Sequence, residues 1–207
     1  MSERDDALEY HSQFPPGKLQ VVTTKPFITQ RDLSLAYSPG VAIPCLEIQK
    51  NPDTARQYTV RGNLVGVVTN GTAVLGLGNI GPEAGMPVME GKALLYKYLG
   101  GVDGFPICLD TQDPDEIIAA VKWIQPCFGG INLEDISHPK CFYILDRLRA
   151  EARIPIWHDD QQGTATVLLA GLINALKVVG KRKDTVTMAV IGAGAANVAI
   201  LELLFSD

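Results

Sequence analysis

Apolar and polar positions along this chain fall into alternating strand-like and helix-like blocks, the pattern of an α/β protein. Leu64 to Thr69 is β-branched and apolar, a buried strand, and Ala73-Val74-Leu75-Gly76-Leu77 reads as a second. Asn70-Gly71 between them predicts a hairpin turn. Gly104 to Leu109 is a further strand. Asp113-Pro114-Asp115-Glu116 opens a helix that runs to about Ile124, with an N-cap, a proline at the first helical position and a glutamate at the third. Gly130-Ile131-Asn132-Leu133 and Ile154-Pro155-Ile156-Trp157-His158 are strands, separated by one helix over Pro139 to Ala152. Thr164 to Val179 is a long apolar helix stopped by Gly180, followed by a strand over Val186 to Ile191 and a helix over Ala195 to Phe205. Nearer the N-terminus the signals are shorter. Residues 3 to 12 form a helix ended by Phe14-Pro15-Pro16-Gly17, Leu19 to Thr23 a short strand, and Ser38-Pro39-Gly40 a turn before a helix that Pro44 can open. Lys92 to Leu99 reads as helix.

A strand, a helix and a strand in that order form a right-handed crossover, so the strands at 130–133 and 154–158 run parallel. Each runs into a pair of acids, Glu134-Asp135 and Asp159-Asp160. Both pairs therefore reach the same sheet edge, where open α/β sheets bind ligands. Acids after strands also cap helices. Two pairs on facing ends instead favour a cation, because converging carboxylates repel one another, and Mg²⁺ and Mn²⁺ prefer such oxygen ligands. The residues predict a divalent metal site holding a small anionic substrate.

The chain's 207 residues allow one large or two small domains, and its formal net charge of -5 argues against a nucleic-acid partner. Its one basic run, Lys181-Arg182-Lys183, follows a predicted helix end and offsets the helix dipole there. The N-terminus is charged, with no apolar core of a secretory signal behind it, and no apolar run approaches transmembrane length. The cysteines, Cys45, Cys108, Cys127 and Cys141, are scattered and read as reduced, buried thiols, so a cytoplasmic setting is expected.

Two glycine fingerprints differ in context. Gly76-Leu77-Gly78-Asn79-Ile80-Gly81 fits Gly-x-Gly-x-x-Gly, but Pro82-Glu83-Ala84-Gly85-Met86-Pro87 after it reads as loop, and the motif must open a helix. Gly192-Ala193-Gly194-Ala195-Ala196-Asn197 lacks the third glycine yet lies between a predicted strand and helix. Gly192 gives the tight turn and Gly194 lets the backbone approach a pyrophosphate at the helix N-terminus. Gly192, Gly194, Ala195, Ala196 and Asn197 are thus the candidate cofactor-binding residues, with Asn197 larger than usual at a position that needs a small residue for packing. The acid that would bind ribose lies about twenty residues on, past Asp207. One strand with flanking helices cannot complete a doubly wound sheet, so the chain reads as part of a longer polypeptide.

The assembled motifs resemble the front half of a bacterial malic enzyme, from Phe14 to the end. The resemblance is carried by Leu35-Ala36-Tyr37-Ser38-Pro39-Gly40-Val41, Asn70-Gly71-Thr72-Ala73-Val74-Leu75-Gly76-Leu77-Gly78, Met89-Glu90-Gly91-Lys92, Asn132-Leu133-Glu134-Asp135 and His158-Asp159-Asp160-Gln161-Gln162-Gly163-Thr164. The opening is most similar to the form with a C-terminal phosphotransacetylase-like domain. The resemblance implies a malate- and metal-binding α/β catalytic domain over residues 1–160, then the start of a Rossmann-type NAD(P)-binding domain over 161–207. It implies oxidation of L-malate with NADP in preference to NAD, followed by decarboxylation to pyruvate and CO₂, in a cytoplasmic homo-oligomer, dimeric or larger, with no nucleic-acid or membrane partner. By position it makes Glu134, Asp135 and Asp160 the ligands of Mg²⁺ or Mn²⁺, Lys92 and Tyr37 the proton-transfer pair, and Asp159 the charge partner of Lys92. A lysine serves as base if desolvation or a nearby metal lowers its pKa, and a tyrosine, pKa about 10, can donate a proton at neutral pH.

The chain departs from some relatives in having no arginine after Asn70-Gly71 to grip a substrate carboxylate. Arg31, Arg61 or the amides after Gly40 are the substitutes the sequence offers. His158 beside the acids is expected to make a structural hydrogen bond. Two other readings compete. A Mg²⁺-dependent phosphoryl-transfer enzyme would need Gly-x-x-x-x-Gly-Lys-Ser/Thr, which is missing. A non-catalytic fragment that binds metal and malate and holds an oligomer together fits the incomplete nucleotide site.

Overall fold

Four parallel strands form one sheet in the order β2-β1-β3-β4: β1 (Leu64–Thr69), β2 (Asp103–Cys108), β3 (Gly130–Leu133) and β4 (Ile156–His158). The computed structural model describes residues 2–206. Helices α1 (Glu3–Ser12), α2 (Gln30–Ala36), α3 (Ala42–Lys50) and the one-turn α4 (Ala55–Tyr58) precede the sheet. Each crossover then carries a helix, as parallel pairing requires: α5 (Pro82–Gly100), α6 (Pro114–Ile124) and α7 (Lys140–Glu151). After β4 come α8 (Thr164–Val178) and α9 (Ala195–Phe205).

Side chains alternate across β1, and its two faces are covered from opposite sides. Val68 joins Ile117 and Val121 of α6, Ile144 and Leu148 of α7, and Leu133 of β3 in the main core. Val67 packs against Met89 and Ala93 of α5. Each fully buried Val, Ile or Leu stabilises by about 1.5–3 kcal/mol, so β1 is the anchored centre of the sheet. Gly104 of β2 lets α5 lie flat on the sheet, since a Cβ there would stand 2.7 Å from Ala93. Helices α8 and α9 bury Ala165, Ala199, Ile200 and Leu204 in a cluster of their own. The N-terminal helices α1, α2 and α3 bury none of their residues. Their approach is tied to α5 by Glu90, whose carboxylate accepts from the Lys18 amide at 3.2 Å.

The mixed α/β class, the parallel crossover and the helix starting at Pro114 are as expected, and five local expectations are not. Ala73 to Leu77 is no strand: both edges of β1 are already filled by β2 and β3, and Val74 makes only an isolated bridge to Gly78. Leu19 to Thr23 and Val186 to Ile191 form no strand, because no neighbouring strand pairs with either among the described residues. Residues 82–87 are the first turns of α5 and not a loop. Pro82 sits at a position where its missing amide hydrogen costs nothing, and burial of Met89 and Ala93 carries the helix past Pro87. Only Cys141 is buried, and burial pushes its thiol up to about 11; Cys45 and Cys127 are exposed. No helix among the described residues is long and apolar enough to cross a membrane.

Candidate metal centre

The carboxyl ends of β1, β3 and β4 meet at one edge. Leu133 and His158 are register partners, so the acids after them emerge side by side. Carboxylate oxygens of Glu134, Asp135 and Asp160 lie within 4.8 Å of one another. The β1 loop holds this group in shape. Ala73 N–H donates to the Asp135 carbonyl at 3.0 Å, and Thr72 Oγ1 accepts from the Ser137 amide at 3.0 Å. Asp135 sits at φ 55, a left-handed conformation that Asp tolerates better than most residues. Its amide donates to Asp160 Oδ2 at 2.9 Å, which ties the two acid pairs together. Asn132 Nδ2 donates to Glu134 Oε2 at 2.7 Å and fixes the third carboxylate.

The electrostatics are those of a buried acid cluster. Burial, opposed by Lys92 and the Asn132 hydrogen bond, pushes the Glu134 carboxyl up to about 7. Burial and the charge of Asp160 push Asp135 up to about 6. Burial raises Asp160 as well. Oxygen donors alone, crowded and desolvated, suit a hard divalent cation. Asp135 Oδ2 supplies a separate sign: it is buried with no hydrogen-bond partner among the described residues. Together these residues fit Mg²⁺ or Mn²⁺.

Lys92, on the sheet-facing side of α5, reaches the same edge. Its Nζ lies 2.7 Å from Asp159 Oδ2 and 3.1 Å from Glu134 Oε1. Burial pulls its pKa down, but the Asp159 hydrogen bond and the charges of Glu134 and Asp159 outweigh that and hold the ammonium above its ordinary range. A π-type turn over Asp159–Gly163 joins β4 to α8 and aims Asp159 at Lys92, and Gly163 makes room for it. A Cβ on Gly163 would stand 2.4 Å from Asp159 Oδ1. Such wide turns recur at functional sites. Tyr96, one helical turn past Lys92, lies in no sequence motif of its own. Burial and the charges of Asp159 and Glu134 raise its phenol pKa.

Other sequence candidates stand apart. Tyr37 follows the last turn of α2, is 71 % exposed, and makes no hydrogen bond to Lys92 or to the acids. Arg61 precedes β1, at the end of the strand away from the acids, and donates to the Phe128 carbonyl at 3.1 Å. The amides of Val41, Ala42 and Ile43 donate to Tyr37, Pro39 and Gly40 carbonyls and are not free for a substrate. Arg31 is exposed on α2. His158 makes no side-chain hydrogen bond among the described residues, contrary to expectation: both ring nitrogens are buried without a partner there. At the other glycine motif, Gly192 sits at φ 100 and Asn197 Nδ2 donates to the Ile191 carbonyl at 2.8 Å. Asn197 thus braces the turn in place of a third glycine. Gly194 precedes α9, and Ala195 and Ala196 form its first turn.

Residues 16–149 match the family described as malic enzyme, N-terminal domain. The chain is 58% identical over 202 residues to the NADP-dependent malic enzyme of Escherichia coli K12, a match covering 97% of this chain and 26% of that protein. It is 55% identical over 190 residues to an NAD-dependent malic enzyme of Geobacillus stearothermophilus, covering 92% of this chain and 40% of the relative. The crystal structure of a malic enzyme from Pyrococcus horikoshii superposes with a TM-score of 0.95 at 58% identity, over 98% of this chain and 47% of that one. The chain therefore spans between about a quarter and a half of the length of these relatives.

Proposed function

The chain belongs to the malic enzyme family, and from that premise we propose that it is the malate- and metal-binding part of an enzyme converting L-malate to pyruvate and CO₂ while reducing NAD(P). The observation that carries this reading is the meeting of three carboxylates within 4.8 Å beside the Lys92–Asp159 pair. Glu134, Asp135 and Asp160 would hold the Mg²⁺ or Mn²⁺ ion. When bound, that ion supplies a Lewis acid that grips a 2-hydroxy carboxylate and lowers its hydroxyl pKa.

Lys92 Nζ is the group we assign to accept the C2 hydroxyl proton as hydride leaves for the nicotinamide. It must first shed the proton that Asp159 and Glu134 hold on it, so a loosening of either contact primes it. Asp159 orients Nζ. Tyr37 is assigned the later proton transfer to C3, for which a phenol O–H is a suitable donor. We place the malate and metal domain at residues 1–160 and the start of the nucleotide domain at 161–207. The separate apolar cluster of α8 and α9 supports that division. Gly192, Gly194, Ala195, Ala196 and Asn197 would meet the dinucleotide. NADP is proposed over NAD, with a homo-oligomeric cytoplasmic enzyme of the form that carries a phosphotransacetylase-like domain, which is what the resemblance of the opening segment implies.

The test is nicotinamide reduction by the whole polypeptide that carries this chain, with L-malate and Mn²⁺, and with NADP and NAD supplied separately. Reduction that needs both malate and metal and yields pyruvate is the expected result. A folded protein that binds metal and gives no turnover would support a non-catalytic fragment.

A further inference from the structure

His158 ends β4, and its side chain is fully buried. The backbone amide is satisfied by Gln162 Oε1 at 2.7 Å, yet neither ring nitrogen has a hydrogen-bond partner among the described residues. An unpaired buried polar group costs about 1–3 kcal/mol, and an apolar side chain of similar volume would avoid that cost. Within the strand, then, the imidazole is a liability that packing does not explain. Asp159 is next to it in the chain, and the Asp160 carboxylate lies against the ring: Nδ1 is 3.7 Å from Oδ2. That oxygen already accepts from the Asp135 amide on another side. At 3.7 Å the ring and the carboxylate are in contact without a hydrogen bond. Even a neutral imidazole carries one N–H to donate.

We propose that His158 is a positioning residue for Asp160: its Nδ1–H closes onto Oδ2 and keeps the carboxylate turned toward Glu134 and Asp135 for a divalent cation. With the Asp135 amide, the imidazole then confines that oxygen from two directions. Carboxylate ligands are commonly held by such outer hydrogen bonds, and removal of one weakens metal affinity roughly 10–100-fold. The proposal rests on the reading of Glu134, Asp135 and Asp160 as the ligands.

The experiment measures Mn²⁺ binding, by loss of the free-ion paramagnetic resonance signal, together with thermal unfolding. The wild type is compared with His158→Leu, His158→Asn, His158→Gln and Asp160→Asn. An Asn side-chain nitrogen lies where Nδ1 does, and a Gln nitrogen lies where Nε2 does. The expected result is a roughly 10–100-fold loss of affinity in His158→Leu, with melting temperature equal to or above that of the wild type. His158→Asn should restore affinity and His158→Gln should not. Wild-type affinity in His158→Leu, with binding lost in Asp160→Asn, would overturn the positioning role and leave the ligand assignment standing. Undiminished binding in Asp160→Asn would instead remove the ligand assignment beneath it. If His158→Leu does not fold, the Asn and Gln pair still decides: rescue by Gln alone would contradict an Nδ1 contact. A nitrogen coupling from His158 to bound Mn²⁺ would make it a ligand and also overturn the proposal.

Discussion

Lys92 Nζ stands 2.7 Å from Asp159 Oδ2, although 67 residues separate them in the chain. The contact binds α5 to the turn after β4 and keeps a proton on Lys92 that a base would have to lose. Asp159→Asn removes one of the two carboxylates that raise the Lys92 pKa. The free amine fraction at fixed pH should then rise, about tenfold for each pKa unit lost. Faster modification of Lys92 by an amine-selective acylating reagent near pH 9, followed by peptide mass spectrometry, is the check. An unchanged or slower rate would show that Asp159 does not hold the proton.

Gly163 makes the Asp159 position possible. A methyl group there would meet Asp159 Oδ1 at 2.4 Å, and the carboxylate would have to swing away. Gly163→Ala should therefore reproduce the Lys92 reactivity of Asp159→Asn and cost about 1–3 kcal/mol in stability. Gly171→Ala, on α8 with open space around it, is the control. It should stabilise by up to about 1 kcal/mol, the ordinary gain from replacing a mid-helix glycine. Denaturant unfolding of the two variants distinguishes a local clash from a general intolerance of alanine.

Reading the sequence recovers the meeting of the acids at the sheet edge better than it recovers the chain around it. The parallel strands at 130–133 and 156–158, the helix between them and the converging acids all follow from crossover handedness, which is a local rule with few exceptions. The residues after β1 mislead because Asn70-Gly71 has a hairpin's composition and a different task. Gly71, at φ 67, packs so close to Gly81 that a Cβ would stand 2.0 Å from its carbonyl oxygen, and Asn70 Nδ2 donates to Thr111. The glycine motif at 76–81 does open a helix, because Pro82 and Pro87 look like loop residues until α5 is seen packed on β1. The unpaired His158 ring was not legible, since burial of both nitrogens depends on residues brought together only by the fold.

The acid cluster predicts a pH dependence of a definite sign. Glu134 and Asp135 have pKa values raised by burial to about 7 and about 6. The folded, metal-free protein thus binds more protons than the unfolded chain between roughly pH 4 and pH 7. The stability these groups contribute is present below that window and is lost as pH rises through it. The melting temperature of the wild type relative to Glu134→Gln should therefore fall from pH 4.5 to pH 7.5, measured in chelator. Added Mn²⁺ should stabilise the wild type more at pH 7.5 than at pH 5, since the ligands must shed their protons. A pH-independent difference between the two proteins would contradict a raised Glu134.

Tyr37→Phe separates the two proton transfers. In the whole polypeptide it should slow protonation of enolpyruvate, by a factor of about 10²–10⁴ for loss of a general acid, and slow reduction of added oxaloacetate much less. Proton incorporation at C3 and nicotinamide oxidation are the two assays. Equal losses would count against Tyr37 as the acid and draw attention to Tyr96 beside Lys92.

The most direct test of the central claim is calorimetric titration of Mn²⁺ into this chain and into its Asp160→Asn variant at pH 7.5, with and without L-malate. The account predicts one ion per chain in the wild type, a loss of affinity of roughly 100-fold or more in the variant, and tighter binding of the ion when malate is present. Equal binding by the two proteins, or no ion bound by a folded wild type, would contradict it.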